Sequence, residues 1–444
     1  MARLILFFVF PTIVFTQNNP IPFSMQEAVN FAMKNNNSAL DSEKDVRLAE
    51  LQKWQTTSTG LPQIGAEITY NNWIQQQVFL VPAAFLGDNE NDFAELVFGT
   101  RQTLNGTITL NQKIFDGSYL VALQASKVYL EISKNAKEKN FTEIKKVVAN
   151  AYGNILLVEK NLLIINSNIE LIKKTIQDIQ TVYENGLTEQ ENVEQLKLTL
   201  DGLTSTKNYN IVLKKLAYEM FNLVLGLNIE TDVKLTESLE DLVAKSNLNK
   251  FEVSKSVIEN IIDYKIASNN LKSNELLLKL EKSKALPSID AFLNGSYLGN
   301  NDSFGFFNPS QKWFGASSFG INISIPMFSS FGRSAATKKA RINVDKSERK
   351  LKTLRKELEI KLKTAENEFN FANQDLKLKK NSLRLAERIE KKNQTKYFEG
   401  MATSFELSQA QNQLYDAQRD YIEAMFTVLN KHVELDILIN QSIN

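Results

Sequence analysis

Apolar residues recur along the chain with two different periods. Ile144, Val148, Ala151, Ile155, Val158, Leu162, Ile165, Ile169, Ile172, Ile176, Ile179 and Tyr183 step by alternating fours and threes, which is the seam of a left-handed coiled coil. A second seam runs through Leu358, Leu362, Ala365, Phe369, Ala372 and Leu376, and a third follows a turn as Leu407, Ala410, Leu414, Ala417, Tyr421, Ala424 and Val428. Small and large residues alternate in these later seams, as close packing of helices requires. Extended to its nearest breakers, the first seam predicts one helix from about Gly117 to Glu184, roughly 100 Å long at about 1.5 Å per residue. No compact globular core accommodates that length. Helices at about Met25 to Thr59 and Glu189 to Gly226 together nearly equal it, so two can stack end to end beside one. The second half repeats the arrangement, with Phe251 to Lys284 and Ser404 to Leu438 beside Gly332 to Lys396.

Between the helices the period falls to two. Ile64, Ala66, Ile68 and Tyr70 alternate with Gln63, Gly65, Glu67, Thr69 and Asn71, and Leu104, Gly106, Ile108 and Leu110 alternate with threonines and asparagines. The later pair sets Ile289, Ala291, Leu293, Gly295 and Tyr297, then Phe319, Ile321, Ile323 and Ile325, against Ser, Asp, Asn and Gly. The pattern predicts strands at 62–73, 103–115, 287–298 and 314–326, each with one apolar face. They are long enough to cross a bilayer when tilted. Alternation alone equally fits a half-exposed soluble sheet. Tyr70, Trp73, Tyr297 and Trp313 stand at strand ends, where a membrane interface favours aromatic rings. Only closed barrels satisfy backbone groups in lipid, and four strands close no barrel of useful bore, so in a membrane several chains share one barrel.

The two halves are copies. Leu61-Pro62-Gln63-Ile64-Gly65-Ala66 matches Leu286-Pro287-Ser288-Ile289-Asp290-Ala291, and Tyr183-Glu184-Asn185-Gly186-Leu187-Thr188 matches Tyr397-Phe398-Glu399-Gly400-Met401-Ala402-Thr403. The first copy is longer between these landmarks by about a dozen residues. The excess falls in Ile74 to Gln102, which holds Pro82, Gly87, Asp88, Glu90 and Asp92; its counterpart is Gly299 to Lys312. The expected organisation is a first repeat at 17–228, a linker at 229–250 and a second repeat at 251–444. Met1-Ala2-Arg3 followed by the apolar run Leu4 to Val14 reads as a secretory signal at 1–16, cleaved near Thr16, or else as a buried N-terminal strand.

Composition removes most chemistry. The chain has 444 residues, no Cys and one His, His432. That excludes thiol nucleophiles, disulfides and the usual Cys/His metal sites, so no catalytic residue, metal or cofactor is expected. His432 reads as a packing or solvated residue. With Lys plus Arg at 52 against 51 Asp plus Glu, the net charge is +1, which recruits no nucleic acid. The basic run Lys338, Lys339, Arg341, Lys346, Arg349, Lys350, Lys352, Arg355 and Lys356 reads as a solvated helix face or a lumen that attracts anions.

From Phe23 to Leu438 the residues resemble the TolC family of outer membrane efflux proteins. The resemblance rests on the duplicated halves, the Leu-Pro entry to each odd strand, Ile325-Pro326-Met327-Phe328 leading into Gly332-Arg333, and the Tyr397, Gly400, Thr403, Glu406, Leu407 spacing. It implies a mainly α chain with a β-barrel: duplicated coiled-coil hairpins and four transmembrane strands. Three copies would form a twelve-stranded barrel in the outer membrane that continues into a helical tunnel across the periplasm. The implied function is conduction of substrates exported by a tripartite pump, in place of catalysis. The partners would be two further copies, outer membrane lipid, a periplasmic adaptor and an inner-membrane pump of the RND or ABC type. A duct for type I protein secretion and a non-conducting coiled-coil stalk or adhesin are the alternatives.

The hairpin tips are the candidate site. Gly186 and Gly400 suit a helix C-terminal position with positive φ, and Thr188 and Thr403 suit caps of the helices that follow. With Leu187 and Met401 they would face the adaptor. The resemblance implies a constriction there with two carboxylates one turn apart; Glu406 fills the first position and Gln409 the second. It also implies a closing tyrosine, arginine and aspartate. Tyr397 matches the tyrosine, whereas Ala402 and Asn192 stand for the arginine and aspartate, so closure is expected to rest on hydrogen bonds and tip packing. Glu406 alternatively serves only to cap its helix.

Overall fold

The computed structural model describes residues 20–83, 93–246 and 255–439. The expected signal at 1–16 and the acidic residues Asp88, Glu90 and Asp92 lie outside them. The chain divides into two compact units. One is helical and contains residues up to Asp45, Lys134–Ile266 and everything from Lys352 onward; the other, Val46–Ser133 with Ala267–Leu351, holds the sheet. Helices α3 (Gly117–Glu184) and α8 (Gly332–Phe398) each run unbroken and contribute to both.

The helical unit buries the expected seams. Val148, Ile155 and Ile179 of α3 are wholly inaccessible, and Leu362 of α8 and Leu407 and Val428 of α9 (Ser404–Ile439) are nearly so. With Phe221 and Leu225 of α4 (Gln190–Leu225), most of these form one continuous apolar core. Tyr152 is its polar anchor. Its hydroxyl donates to the Phe23 carbonyl at 3.0 Å and accepts from the Glu237 amide at 3.3 Å. Burial pushes the phenol up to about 12.

Three segments differ from the periodicity. The helix expected from Met25 to Thr59 is two, α1 (Met25–Asn35) and α2 (Asn37–Ser58). Asn36 separates them in an extended conformation, its amide donating to the Val224 carbonyl at 2.8 Å and its Oδ1 accepting from the Ser38 amide. Asparagine competes with the helix for backbone partners, and here the competitor prevails. The helix expected from Phe251 to Lys284 is likewise broken, into α6 (Lys255–Asn260) and α7 (Ile262–Ser283), at a buried Ile261 packed with Ile258 and Leu358. The expected linker 229–250 is packed structure as far as it is described. Strand β6 (Val233–Leu235) pairs in parallel with β1 (Ile21–Phe23), and α5 (Leu239–Ser246) buries Leu239, Leu242 and Val243.

The second unit is organised by one antiparallel sheet of order β2-β5-β7-β8, formed by Gln63–Asn72, Gln102–Asp116, Ser288–Asn301 and Trp313–Ser324. Register keeps most apolar side chains on one face of the sheet across all strands. The rows Ile64, Leu110, Leu293, Phe319 and Ile68, Gly106, Tyr297, Gly315 lie on one face. The intervening rows, such as Thr69, Asn105, Leu298, Phe314 and Glu67, Thr107, Ser296, Ala316, carry most of the polar residues. On that face Gly320 leaves the space the Phe292 ring occupies, since a Cβ there would stand 2.4 Å from it. A β-bulge between Lys113 and Phe115 shifts the register near the helices. Residues 74–102, expected as a loop, carry a separate hairpin, β3 (Val78–Pro82) with β4 (Phe93–Val97). Their runs are apolar without strict alternation, so no period of two marks them in the sequence.

Tyr152→Phe removes both hydrogen bonds that tie α3 to the β1–β6 pair. A loss of about 1–3 kcal/mol is expected, read as a lower urea midpoint by circular dichroism; an unchanged midpoint contradicts the anchoring role.

Candidate functional site

Both helical hairpins turn by the same device. At the first, the Gly186 amide bonds the Tyr183 carbonyl at 2.8 Å and the Leu187 amide bonds Val182 at 3.1 Å; at the second, Gly400 bonds Tyr397 at 3.0 Å and Met401 bonds Lys396 at 2.7 Å. These are Schellman caps, and both glycines sit at positive φ, 76° and 72°. A side chain there would strain the turn, which is why the two tips read alike in sequence.

The helices that leave the tips are started differently. Thr403 caps α9 through a capping box: its hydroxyl accepts from the Glu406 amide at 3.2 Å, while the Glu406 carboxylate accepts from the Thr403 amide at 2.8 Å. These bonds hold the Glu406 carboxyl below its ordinary value. Thr188 is no cap. The residue at that position is Glu189, which makes no side-chain cap bond. The Thr188 hydroxyl instead accepts from the Asn192 side-chain amide at 2.8 Å and lies beside Tyr397 of the other hairpin. The sequence placed a threonine correctly beside a turn but assigned it to the wrong partner.

A neutral network joins the two tips. The buried Ser404 hydroxyl donates to Asn192 Oδ1 and lies 3.4 Å from Gln195 Oε1. Tyr397 packs against the buried cluster of Ile179, Val193 and Leu196, and burial raises its phenol above the ordinary range. Of the expected constriction residues, Tyr397 and Asn192 therefore meet in one bridge with Thr188 and Ser404. Glu406 and Gln409 are exposed and outside it. Ser404 and Gln195 were missed, because a serine at the first position of a helix reads as an ordinary start. Gly186, Leu187, Gly400, Met401 and Thr403 remain exposed at the turns, with Leu187 78% and Met401 66% accessible. His432 packs its ring 5.7 Å from Phe369, and the basic run of α8 from Lys338 to Lys356 is exposed.

The sheet supplies the other functional surface. Its apolar face is open: Ile64 is 72%, Ile68 78% and Phe319 71% accessible. Tyr70 and Trp313 stand in one cross-strand row, where Phe304 and Phe306 of the β7–β8 loop stack edge-on against Tyr70 at 5.7 and 6.1 Å. Among the described residues neither edge strand, β2 or β8, has a second partner. Among the same residues no helix is long and apolar enough to cross a membrane, and no cluster of three acidic or His residues stands ready for a metal.

Comparison with known proteins places these features. Residues 263–441 match the family model described as outer membrane efflux protein. A search of curated protein sequences returns no match. Solved structures share the fold along almost the whole chain. The outer membrane protein VceC of Vibrio cholerae is similar with a TM-score of 0.74 at 13% identity, over 94% of this chain and 95% of its own. The CmeC outer membrane channel of Campylobacter jejuni gives 0.74 at 14% identity over 94% and 85%. The MtrE outer membrane channel of Neisseria gonorrhoeae in its open state gives 0.72 at 14% identity over 94% and 88%.

Thr403→Ala breaks the capping box at a cost of about 1 kcal/mol. Amides in the first turn of α9 are then expected to exchange with deuterium about fivefold faster, whereas Thr188→Ala leaves the first turn of α4 unchanged. Equal acceleration at both helix starts contradicts the assignment.

Proposed function

We propose that the chain is an outer membrane efflux protein, on the match of residues 263–441 to that family model and on its fold, and that three copies join their sheets into one barrel in the outer membrane and their helical hairpins into one tunnel. It is a channel and not an enzyme. The observation that carries the reading is the sheet: one face apolar and open, the other largely polar, and both edges unpaired among the described residues. Lipid satisfies the first face and water the second. Neither satisfies an edge in a membrane, so other copies must. Eight strands from two copies also close a ring; three is the number the family favours. Substrates pass along the polar face, delivered by an inner-membrane pump through a periplasmic adaptor that grips the exposed tips at Leu187 and Met401.

We read the tip bridge as the resting closure. Tyr397, Thr188, Asn192 and Ser404 hold the two hairpins of one chain together with no charge. The family's salt-bridge lock is replaced by neutral bonds. Glu406, and Gln409 one turn on, face away from this bridge and are free to line the passage, where a carboxylate ring selects cations. Small-molecule efflux is the favoured role, and a duct for secreted polypeptides differs only in the pump that feeds it. A stalk or adhesin has no use for an open apolar sheet.

Single-channel recording of the purified protein in planar bilayers tests this. Conductance is expected, and its absence from intact trimers contradicts the reading. Tyr397→Ala and Ser404→Ala should each raise resting conductance, and Glu406→Ala should weaken cation selectivity with conductance retained. An unchanged selectivity leaves Glu406 only its cap. Closure should also hold from neutrality down to about pH 5. The bridge has no group that titrates there, and Glu406, held low by Thr403, stays ionised. Opening on mild acidification contradicts a neutral lock.

A further inference from the structure

We propose that the β3–β4 hairpin is a clasp between neighbouring copies, its open apolar face seated on the next chain of the ring. The inference rests on the multi-chain barrel proposed above. The hairpin belongs to the first repeat alone, within the segment that is longer than its counterpart. Among the described residues its two strands pair only with each other. The register sets Val78, Leu80 and Pro82 beside Val97, Glu95 and Phe93 on one face. Of these Leu80 is 66% and Phe93 63% accessible, and Glu95 is the sole charged residue of either strand. The opposite face is apolar too, with Phe79 stacked on Phe98 at 5.6 Å. Strands apolar on both faces belong to a covered sheet, and a two-stranded hairpin alone in water is at best marginally stable. Something covers this one.

Lipid is a poor cover. The hairpin's two outer edges leave backbone N–H and C=O groups unpaired, and hydrocarbon cannot satisfy them. A neighbouring chain can, and topology puts one at hand. The hairpin grows from the end of β2, continuing its ladder through the Trp73 amide to the Arg101 carbonyl at 2.9 Å. β2 is an edge strand, and the ring closes only if it meets β8 of the next copy. The β7–β8 loop of that copy ends where its β8 begins, beside this seam, and although its Phe304 stacks on Tyr70 of its own chain, Phe307 is 84% accessible. An apolar hairpin faces an apolar loop across the line where two chains join.

The absence of cysteine makes the test clean. In detergent-purified trimers, Leu80→Cys is expected to react with a water-soluble maleimide about tenfold more slowly than the exposed reference Glu230→Cys. Leu80→Asp, which leaves the four-stranded sheet untouched, is expected to lower the temperature at which trimers dissociate in SDS. Equal labelling rates in intact trimers, or an unchanged dissociation temperature, overturn the clasp. Protection that arises only on reconstitution into phospholipid vesicles assigns the face to lipid and also overturns it. A parent chain that purifies as a monomer removes the multi-chain reading itself, a failure distinct from the other three.

Discussion

The proposed channel depends first on a sheet whose two edge strands are unpaired among the described residues. Register gives the four strands an apolar face and a largely polar face, and that division suits a wall between lipid and water. A wall in lipid tolerates no free edge, because each unpaired N–H or C=O in hydrocarbon costs several kcal/mol. β2 and β8 are both edges. Under the proposed reading the need for further copies lies in the backbone and does not depend on any particular side chain.

The helices answer a different constraint. A hairpin as long as α3 with α4 has no globular core to fold around, so its stability comes from a continuous seam. Ile155, Ile165, Ile179, Leu362, Leu407 and Val428 provide it, each almost wholly buried. At the turns the seam runs out and polar bonds take over. Those bonds are uncharged, so the contact between tips is short-ranged and insensitive to salt, unlike an ion pair.

Much of this was legible in the amino-acid sequence, and the failures have causes. Seams and alternating strands announce themselves because periods of 3.5 and 2 persist over many residues. The duplication was legible because Gly186 and Gly400 answer to one backbone requirement, positive φ. Asn36 broke a helix that periodicity carried straight through, since its competing bonds, to Val224 and Ser38, depend on a carbonyl far along the chain. The β1–β6 pair has three residues a side, too few to show a period. The tip bridge was half seen. Tyr397 and Asn192 came from resemblance, but Ser404 and the true role of Thr188 depend on two hairpins meeting, which no local spacing encodes.

The central claim is that the sheet is incomplete in a single chain, and the most direct measurement is native mass spectrometry in mild detergent. The account predicts one species of three chains, stable until the strands themselves melt. A protein that stays a single chain under those conditions, with its strands intact, contradicts it.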